Sequence, residues 1–531
     1  MVGYNVVNAD VALTEAVLRH SSAEVLKDLD ALGWEAGSAE AREQGELANE
    51  NPPKLVPYDR YGNRVDEVRF HPSYHWLMER AVGYGLQAAP WVSEAPHPHV
   101  RRAAGFMGWA QTEPGHGCPI SMTYAAVPAL RFEESVAAEW VPLLASTTYD
   151  PSRGVASGKA GALAGMGMTE KQGGSDVRSN VTKARRTTEE GVYTLHGHKW
   201  FTSAPQNDMF LMLAQAEGGL TCFLLPRVLP DGSRNAFDVV RLKDKLGNRS
   251  NASSELEFDG TVVRRIGEEG RGVRTIIEMV AATRLDCVLG SAALMRHALA
   301  EASWHVAHRS AFGGLLADKP LMQNVIADLA LESEAATTLA IRLAAAADRA
   351  AHDPHEAALR RIGLPLAKFW VCKRTPAMVA EALECLGGNG YAEESGLPLM
   401  YREAPLNSVW EGSGNVNALD VLRALGREPE VLTAWMTEVG EARGENADLD
   451  RAIDQTLVLL GDAAGMESGA RRLAGRMAAC LQGALLVRYA PAEVSDAFCA
   501  SRLGREYDGT FGMLHGGDHR ALLERATPTL D

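Results

Sequence analysis

The sequence predicts a multidomain, mainly helical protein with a β-domain at its centre. Its 531 residues are more than one hydrophobic core usually organises, so two to four domains are expected. Between residues 159 and 268, short runs of aromatic and β-branched residues are broken by Gly, Asp, Asn and Pro, as strands are by turns. On both sides of this region the patterns are helical. We therefore expect the order α, β, α, followed by a further helical segment.

The first two domains are distinguished by the residues that interrupt their helices and strands. Residues 1–158 should form a helical N-terminal domain, in which prolines such as those of Asn51-Pro52-Pro53 mark helix ends or extended loops. Residues 159–268 should form a compact β-barrel or sandwich. Its strand-like runs are VYTLHGHKWF, MFLMLAQA, LTCFLLP, FDVVRL and SSELEFDGTVV.

The remainder of the chain is expected to be helical. After Gly272 the helical period persists, and alanine-rich segments continue it because alanine costs a helix least. We expect a helical bundle over residues 269–426. A charge-rich break follows residue 425, and residues 427–531 should form an appended C-terminal helical domain.

The composition is that of a soluble globular protein, with 46% hydrophobic and 23% charged residues. The net charge of −15 argues against a surface that coats nucleic acid generally. It leaves room for a local basic patch, because folding can gather scattered arginines on one face.

Cysteine usage and hydropathy indicate which cellular compartment to expect for the protein. The seven cysteines are widely spread and form no CxxC pair, so neither a zinc site nor a disulfide framework is expected. The N-terminus lacks the pattern of a signal peptide, and no apolar run reaches the roughly 18–20 residues that span a bilayer. A reduced, cytoplasmic protein without a metal or a membrane anchor is the simplest interpretation.

The densest motif for ligand binding is MGMTEKQGGSD, residues 166–176. Two adjacent glycines let a backbone approach a ligand closely, and Thr169 and Ser175 supply hydroxyls beside N–H groups. Such a loop suits a phosphate or a planar heterocycle. Taken alone, however, the glycines favour a plain surface turn.

A second motif, GHKWFTS, covers residues 197–203. Trp200 and Thr202 are two residues apart and should point the same way on a strand, where they can stack on a flat ring and hydrogen-bond its edge. Without further context, Trp200 is better explained as a residue of the core.

The third motif, NSVWEGSGN, covers residues 407–415 and places Glu411 just ahead of a helical pattern. A helix N-terminus offers free N–H donors and favours anions. A carboxylate held there beside apolar residues can serve as a general base. The simpler interpretation is ordinary capping, with Ser413 as the N-cap and Glu411 solvated.

Together these motifs resemble the acyl-CoA dehydrogenase superfamily over roughly residues 60–425. Two further signatures of that family are present, Arg309…Phe312-Gly313 with Gln323, and a glycine-rich turn after Glu384, where the family usually has glutamine. The resemblance implies FAD as cofactor and a homotetramer in which each FAD site draws residues from two subunits. The implied cofactor-binding residues are Met166, Met168, Thr169, Gly174, Ser175, Trp200, Phe201, Thr202, Ser203, Arg309, Phe312, Gln323, Gly387, Gly388, Trp410, Gly412, Ser413 and Asn415.

The resemblance also implies the catalytic base. Glu411 aligns with the position that holds the base in most of the superfamily. Another branch carries it just before the arginine that corresponds to Arg284, but this chain has Thr283 there. Glu411 is therefore the family-type candidate for α,β-dehydrogenation of a short or branched acyl-CoA.

Within the superfamily, the AidB-type branch is the most similar. The segments 51–53, 67–72, 168–175 and 410–415 resemble it, as does the long helical tail. That branch is associated with the response to DNA alkylation, duplex DNA binding by the tail and weak isovaleryl-CoA dehydrogenase activity. The alternative function is therefore that of a DNA-binding flavoprotein with residual dehydrogenase activity.

The charge of the tail opposes this alternative. Residues 427–531 contain 11 arginines, no lysine and 17 acidic residues, whereas phosphate binding needs clustered cations. A patch remains a hypothesis, and arginines that extend along a subunit interface explain the pattern at least as well. The candidate DNA-contacting residues are Arg471, Arg472, Arg476, Arg502 and Arg505.

Overall fold

The computed structural model describes residues 1–461, 465–504 and 509–529. Contacts divide the chain into two compact units. The helical unit comprises residues 1–39, 96–111 and 284–531, and the sheet unit comprises residues 40–95 and 112–283. The predicted class, mainly helical with a central sheet, is confirmed.

Seventeen helices are assigned among the described residues. They are α1 Val11–His20, α2 Ala23–Ala36, α3 Ala39–Glu50, α4 Pro72–Gly83, α5 Pro98–Trp109, α6 Gly117–Leu130, α7 Glu134–Leu144, α8 Gly272–His308, α9 Pro320–Arg349, α10 Pro354–Cys385, α11 Leu397–Glu403, α12 Gly414–Arg427, α13 Pro429–Gly440, α14 Ala447–Leu460, α15 Ala470–Tyr489, α16 Ala492–Phe498 and α17 His519–Ala526.

The strands form one large sheet and two hairpins. They are β1 Lys54–Tyr58, β2 Arg64–Arg69, β3 Ala164–Gly167, β4 Lys183–Arg186, β5 Val192–Ser203, β6 Met209–Ala216, β7 Gly219–Pro226, β8 Phe237–Leu242, β9 Ser253–Ile266, β10 Ser310–Ala311 and β11 Gly314–Leu315.

The large sheet has seven strands in the order β3-β5-β4-β6-β7-β9-β8. Additional pairings of β3 with β6 and of β5 with β9 make the sheet close on itself. Its interior is filled by aromatic and aliphatic side chains, among them Phe210, Phe223, Leu256 and Phe258. The apolar alternation along each strand therefore supplies a single core.

All five strand-like runs of the sequence fall on β5 to β9. The hairpin of β1 and β2 was not predicted, because Pro57 lies inside β1 and a proline argues against a strand. β4 is equally hard to recognise, since three of its four residues are basic and exposed. Such short strands depend on their partners more than on their own residues.

In the helical unit, the expected break after residue 425 contains a helix, α13. Its charged residues obscure an apolar face at helical spacing, on which Val431, Ala434, Trp435 and Val439 are buried. Long-range ion pairs hold this helix to its neighbours. The buried Arg342 of α9 donates at 2.8 Å both to Glu356 of α10 and to Glu438 of α13.

The C-terminal helices and the bundle helices thus belong to one compact unit. The expected domain boundaries at residues 158, 268 and 426 stay predictions. Within the described ranges, no helix is both long enough and apolar enough to cross a membrane.

Candidate functional site

In the sheet unit, the glycine-rich motif is organised around a buried ion pair. The Nζ of Lys199 lies 2.7 Å from Glu170, and both side chains are 0% exposed. Glu170 also accepts hydrogen bonds from the backbone N–H groups of Val181 and Thr182. Although burial raises the pKa of Glu170, the Lys199 ammonium and these donors hold it at about 2. Burial lowers the pKa of Lys199 to about 8.

This pair joins the motif to β5, because Lys199 immediately precedes Trp200. The backbone makes the same connection, since the N–H of Trp200 donates to the carbonyl of Thr169 at 2.8 Å. Asn180 donates to the carbonyl of Met168 at 3.1 Å. The structure therefore brings the first two sequence motifs together in one place.

Two glycines in this region occupy positions that no larger residue fits. A Cβ on Gly174 would lie 2.5 Å from the Thr169 hydroxyl. A Cβ on Gly167 would lie 2.7 Å from the Thr202 hydroxyl, and these two residues are paired across β3 and β5. Met166 is buried in β3, whereas Ser175 is exposed at the surface of the loop.

The backbone register of β5 is irregular between Lys199 and Thr202, which is the mark of a β-bulge. The alternation expected for Trp200 and Thr202 is therefore interrupted. Trp200 is half-buried, with the Lys243 ammonium 3.5 Å from its ring centroid, and Phe201 is 47% exposed. Bulges re-aim side chains, and they recur beside functional sites.

Thr202 carries the observation that tests the fit of a flavin. It is fully buried, and its hydroxyl has no hydrogen-bond partner among the described residues. An orphaned buried hydroxyl is costly unless something else satisfies it. Next to the glycine-rich loop and the half-buried Ser203, it fits a planar cofactor whose edge accepts and donates hydrogen bonds.

In the helical unit, the third motif forms a strained turn before α12. Glu411 has φ of 57° and Gly412 has φ of 95°, so both lie in the left-handed region. This conformation is unfavourable for glutamate and persists only where the surroundings impose it. Ser413 occupies the N-cap position, but its side chain makes no capping hydrogen bond.

Three side chains impose the turn by binding its carbonyl oxygens. Arg284 donates to the carbonyl of Glu411 at 3.3 Å, and Asn417 donates to that of Gly412 at 2.6 Å. Lys368 donates to the carbonyl of Gly412 at 2.7 Å and to that of Asn407 at 3.0 Å. Lys368 is 1% exposed and forms no ion pair with any described residue.

The residues that bind the turn are themselves held by further hydrogen bonds. Asp420 of α12 accepts a hydrogen bond of 2.5 Å from Arg284, and the attraction of that cation lowers the pKa of Asp420 against the effect of burial. The indole N–H of Trp410 donates to Asn407 at 2.9 Å. Asn407 in turn donates to Ser291 at 3.2 Å.

Electrostatics also connect Glu411 with its surroundings. Burial raises the pKa of Cys287 well above its usual value, and two nearby charges act on it in opposite directions. Lys368 lowers this pKa and Glu411 raises it further. A carboxylate, a buried ammonium and a neutral thiol therefore share one neighbourhood.

The Arg309 signature forms a hairpin of β10 and β11. Phe312 lies at its tip with φ of 52° and is 90% exposed. Arg309 is exposed, while Gln323 donates to the carbonyl of Ala317 at 2.8 Å. Gly387 and Gly388 lie in a short 3-10 turn, where an added Cβ would meet no atom within 4 Å.

Of the four described arginines expected to bind DNA, one is not at the surface. Arg502 is a correction: its guanidinium is buried between Asp328 and Glu332, so it is not available to a phosphate. Arg471 is exposed, but it donates to Asn415 at 3.4 Å, so it is not independent of the Glu411 turn. Arg505 lies outside the described residues.

The remaining two arginines share α15. Arg472 is exposed, and Arg476 is half-buried with a hydrogen bond of 2.7 Å to Gln455.

Sequence reasoning missed Lys368 and the role of Arg284 in the turn. A signal existed for Lys368, which stands alone among apolar residues in the helical run LPLAKFWV. A charged residue in an apolar stripe is buried with a partner or has a function. No local signal shows which carbonyls it binds.

Family models match three consecutive parts of the chain. The adaptive response protein AidB N-terminal domain matches residues 1–151. The acyl-CoA dehydrogenase middle domain matches residues 165–261, and the acyl-CoA dehydrogenase C-terminal domain matches residues 270–426.

Similar proteins cover nearly the whole chain. AidB of Escherichia coli (strain K12) is 46% identical over 497 residues, which are 93% of this chain and 91% of that protein. Acyl-CoA dehydrogenase family member 11 of Caenorhabditis elegans is 31% identical over 493 residues, 85% of this chain and 78% of that protein. The crystal structure of C. elegans ACDH-11 in complex with C11-CoA has a TM-score of 0.86 and 28% identity, covering 95% of this chain and 91% of that one.

Proposed function

Because the chain belongs to the acyl-CoA dehydrogenase family and is an AidB homologue, we propose that it catalyses α,β-dehydrogenation of a short or branched acyl-CoA with Glu411 as base. The observation that carries the proposal is the turn at Glu411. The carbonyl oxygens of the turn accept hydrogen bonds from Arg284, Lys368 and Asn417. These bonds fix the backbone from which the Glu411 carboxylate extends. A positioned carboxylate is what proton abstraction beside a thioester carbonyl requires.

Members of this family use FAD. In this chain the glycine-rich loop, Trp200, Thr202 and Ser203 would hold it, and the unpartnered Thr202 hydroxyl supports that assignment. When bound, FAD would supply the acceptor for the hydride of the β-carbon.

The contribution of the chain itself is to hold and move a proton. One carboxylate oxygen of Glu411 takes the proton from the α-carbon. The strained backbone of the turn does not have to reorganise during this step, because Lys368 and Arg284 already bind it.

The oligomer belongs to the same proposal. Phe312 projects from an ordered hairpin and is 90% exposed, which is costly for an aromatic side chain in water. We assign Phe312, Arg309, Gln323, Gly387 and Gly388 to the FAD site of a neighbouring subunit in a homotetramer. Sedimentation of the FAD-loaded protein as a monomer would contradict this.

Turnover against a panel of thioesters tests the function. The ACDH-11 structure was solved with C11-CoA. For this chain we expect a smaller acyl group, which is short or branched. FAD-loaded protein is assayed with butyryl-, isovaleryl-, octanoyl- and undecanoyl-CoA and an artificial electron acceptor. We expect turnover of butyryl- or isovaleryl-CoA. Absence of turnover with all four would reject the dehydrogenase function.

The alternative is a DNA-associated flavoprotein, which the 46% identity to AidB favours. The locations of the arginines restrict it, because Arg502 is buried and Arg471 contacts Asn415. The exposed Arg471 and Arg472 and the half-buried Arg476 stay as candidates for phosphate contacts on α15, and Arg471 also contacts the residues after Glu411.

A further inference from the structure

The sheet unit contains a pocket of about 410 Å³ that the dehydrogenase site does not use. β2, α4, the segments that precede β3 and β6, and the residue that follows β7 supply its walls. Its lining includes part of the Glu67–Pro72 motif, for which the proposed function has no role. The volume is within the range of small-molecule sites.

The distinctive residue of this pocket is Arg227. It forms no side-chain hydrogen bond and no ion pair with any described residue, and its Nε is buried without a partner. Burial lowers the pKa of this guanidinium, although arginine remains charged at neutral pH. Arg227 is half-buried, and a guanidinium that loses part of its hydration without gaining a partner costs free energy, so such a group is often satisfied by an anion.

The carboxylates of the pocket do not satisfy it, because each has other partners. Glu67 pairs with Arg153 at 3.0 Å, and Asp208 pairs with Lys159 at 2.6 Å. Asp150 accepts hydrogen bonds of 2.9 Å and 3.1 Å from two backbone N–H groups. Asp208 attracts the guanidinium of Arg227 from a distance, but its ion pair is with Lys159. The pocket therefore presents one guanidinium that has no carboxylate within ion-pair distance among the described residues.

Besides these charged groups, the pocket has an uncharged wall of aromatic rings. The rings of Phe70 and Tyr74 stack at 4.0 Å with an interplanar angle of 17°. Tyr149 and His75 form a hydrogen bond of 2.8 Å. Burial raises the pKa of both tyrosines and lowers that of His75, so these rings are neutral at pH 7.

A second unsatisfied atom lies in the same lining. Gln206 donates to the hydroxyl of Tyr74 at 3.2 Å, but its Oε1 is buried with no partner among the described residues. One pocket thus holds an unpaired cation, an unpaired acceptor and a cluster of rings. Together they match a ligand with an anionic group, a flat body and an N–H or O–H donor.

We propose that this pocket binds an aromatic anion, a flat ring or base that carries a phosphate or a carboxylate. Arg227 binds the anionic group, the wall of Phe70 and Tyr149 contacts the ring, and Gln206 accepts a hydrogen bond. The two sources of this chemistry are a nucleoside phosphate and an aromatic carboxylic acid.

Calorimetric titration of the FAD-loaded protein tests the proposal and separates the sources. The probes are adenosine monophosphate and 4-hydroxybenzoate, with inorganic phosphate and adenosine as ligands that each lack one half. We expect one of the two ring anions to bind at least about tenfold more tightly than either half ligand. Binding by the nucleotide identifies the phosphate source, and binding by the benzoate identifies the carboxylate source. If neither binds, the proposal is rejected.

Arg227→Gln should weaken this binding by about 10–100-fold, as expected for the loss of a charge-assisted contact. Arg271→Gln is the matched control in the same unit, because the side chain of Arg271 is 63% exposed. Equal binding by Arg227→Gln and the wild type would overturn the proposal.

Thermal unfolding distinguishes a ligand site from a structural role. Without ligand, Arg227→Gln should unfold at the same temperature as the wild type or higher, since it removes a half-buried charge that makes no ion pair with any described residue. The ligand-induced rise of the unfolding temperature should disappear. A lower unfolding temperature without ligand, together with a retained ligand-induced rise, would assign Arg227 to structure alone. If Arg227→Gln does not fold, Arg227→Met, which also removes the charge, is titrated in its place, and unchanged ligand affinity would again overturn the proposal.

Discussion

Lys368 is buried in α10 and donates a hydrogen bond of 2.7 Å to the carbonyl oxygen of Gly412, the residue after Glu411. The Lys368 ammonium donates a second hydrogen bond to the carbonyl oxygen of Asn407 and so connects the two ends of the turn. Burying an ammonium without a carboxylate partner is expensive. We infer that the cost of burying Lys368 is offset by its hydrogen bonds, which stabilise the conformation of the turn.

Lys368→Met should lower kcat by about 10–100-fold, which corresponds to roughly 1.5–3 kcal/mol for hydrogen bonds from a charged donor. KM should change little, and FAD should stay bound, since the glycine-rich loop, Trp200, Thr202 and Ser203 are unaltered by the substitution. Steady-state kinetics and the flavin absorbance of the purified variant measure both. Lys27→Met, at an exposed lysine of the same unit, is the control. An unchanged kcat would remove Lys368 from the mechanism.

Glu411→Gln should lower turnover by about 10²–10⁴-fold while FAD stays bound. The amide retains the shape of the side chain but cannot accept the α-proton. The assay is turnover of the best thioester from the panel, with Glu430→Gln as an exposed control. A fully active variant would place the base at another residue.

Thr202→Val should weaken FAD binding by about tenfold, because the isosteric change removes one hydrogen bond worth about 1.4 kcal/mol. Without FAD the variant should be no less stable than the wild type, since the hydroxyl has no partner among the described residues. Fluorescence titration of apo-protein with FAD gives the affinity. Thr194→Val, on the same strand, is the control, and equal losses in the two variants would show a general effect on β5.

The buried pair of Glu170 and Lys199 should make stability depend on acid pH. The pKa of Glu170 falls from 4.5 to about 2 on folding, so its stabilisation is present above pH 4.5 and is lost as the pH falls towards 2. Denaturant unfolding at pH 6 and pH 3 measures it.

The comparison needs a double variant, Glu170→Gln/Lys199→Met, because Glu170→Gln alone would leave the Lys199 ammonium buried and unpaired. Its free energy of unfolding should fall less between the two pH values than that of the wild type. An equal fall would assign the acid sensitivity to other carboxylates.

If duplex DNA binds, it should bind weakly, without sequence preference and with a steep salt dependence, because only phosphate contacts are available. Arg472→Gln/Arg476→Gln should flatten the salt slope by about one unit per lost contact. Arg443→Gln/Arg520→Gln removes two exposed arginines elsewhere in the helical unit and should change it less. No retention of duplex DNA by the wild type at low salt would end the DNA hypothesis.

Local chemistry determined the class of this protein and most strands of its large sheet. The runs that became β5 to β9 are recognisable because a strand in a sheet alternates its side chains and ends at turn residues. The loop at Thr169, the Trp200 segment and the turn at Glu411 were also visible, since each motif is contiguous. Their grouping followed from a family resemblance, and their roles stay predictions.

Only the tertiary structure decided which groups satisfy one another. Lys368 reaches a carbonyl 44 residues away, and Arg284 reaches one 127 residues away. Arg502 was expected at the surface and instead binds Asp328, 174 residues before it. A sequence shows that a charge is present, but burial and partners depend on residues that meet only when the chain is folded. The unpaired Arg227 is visible for the same reason, because an absent partner is a property of a packed site.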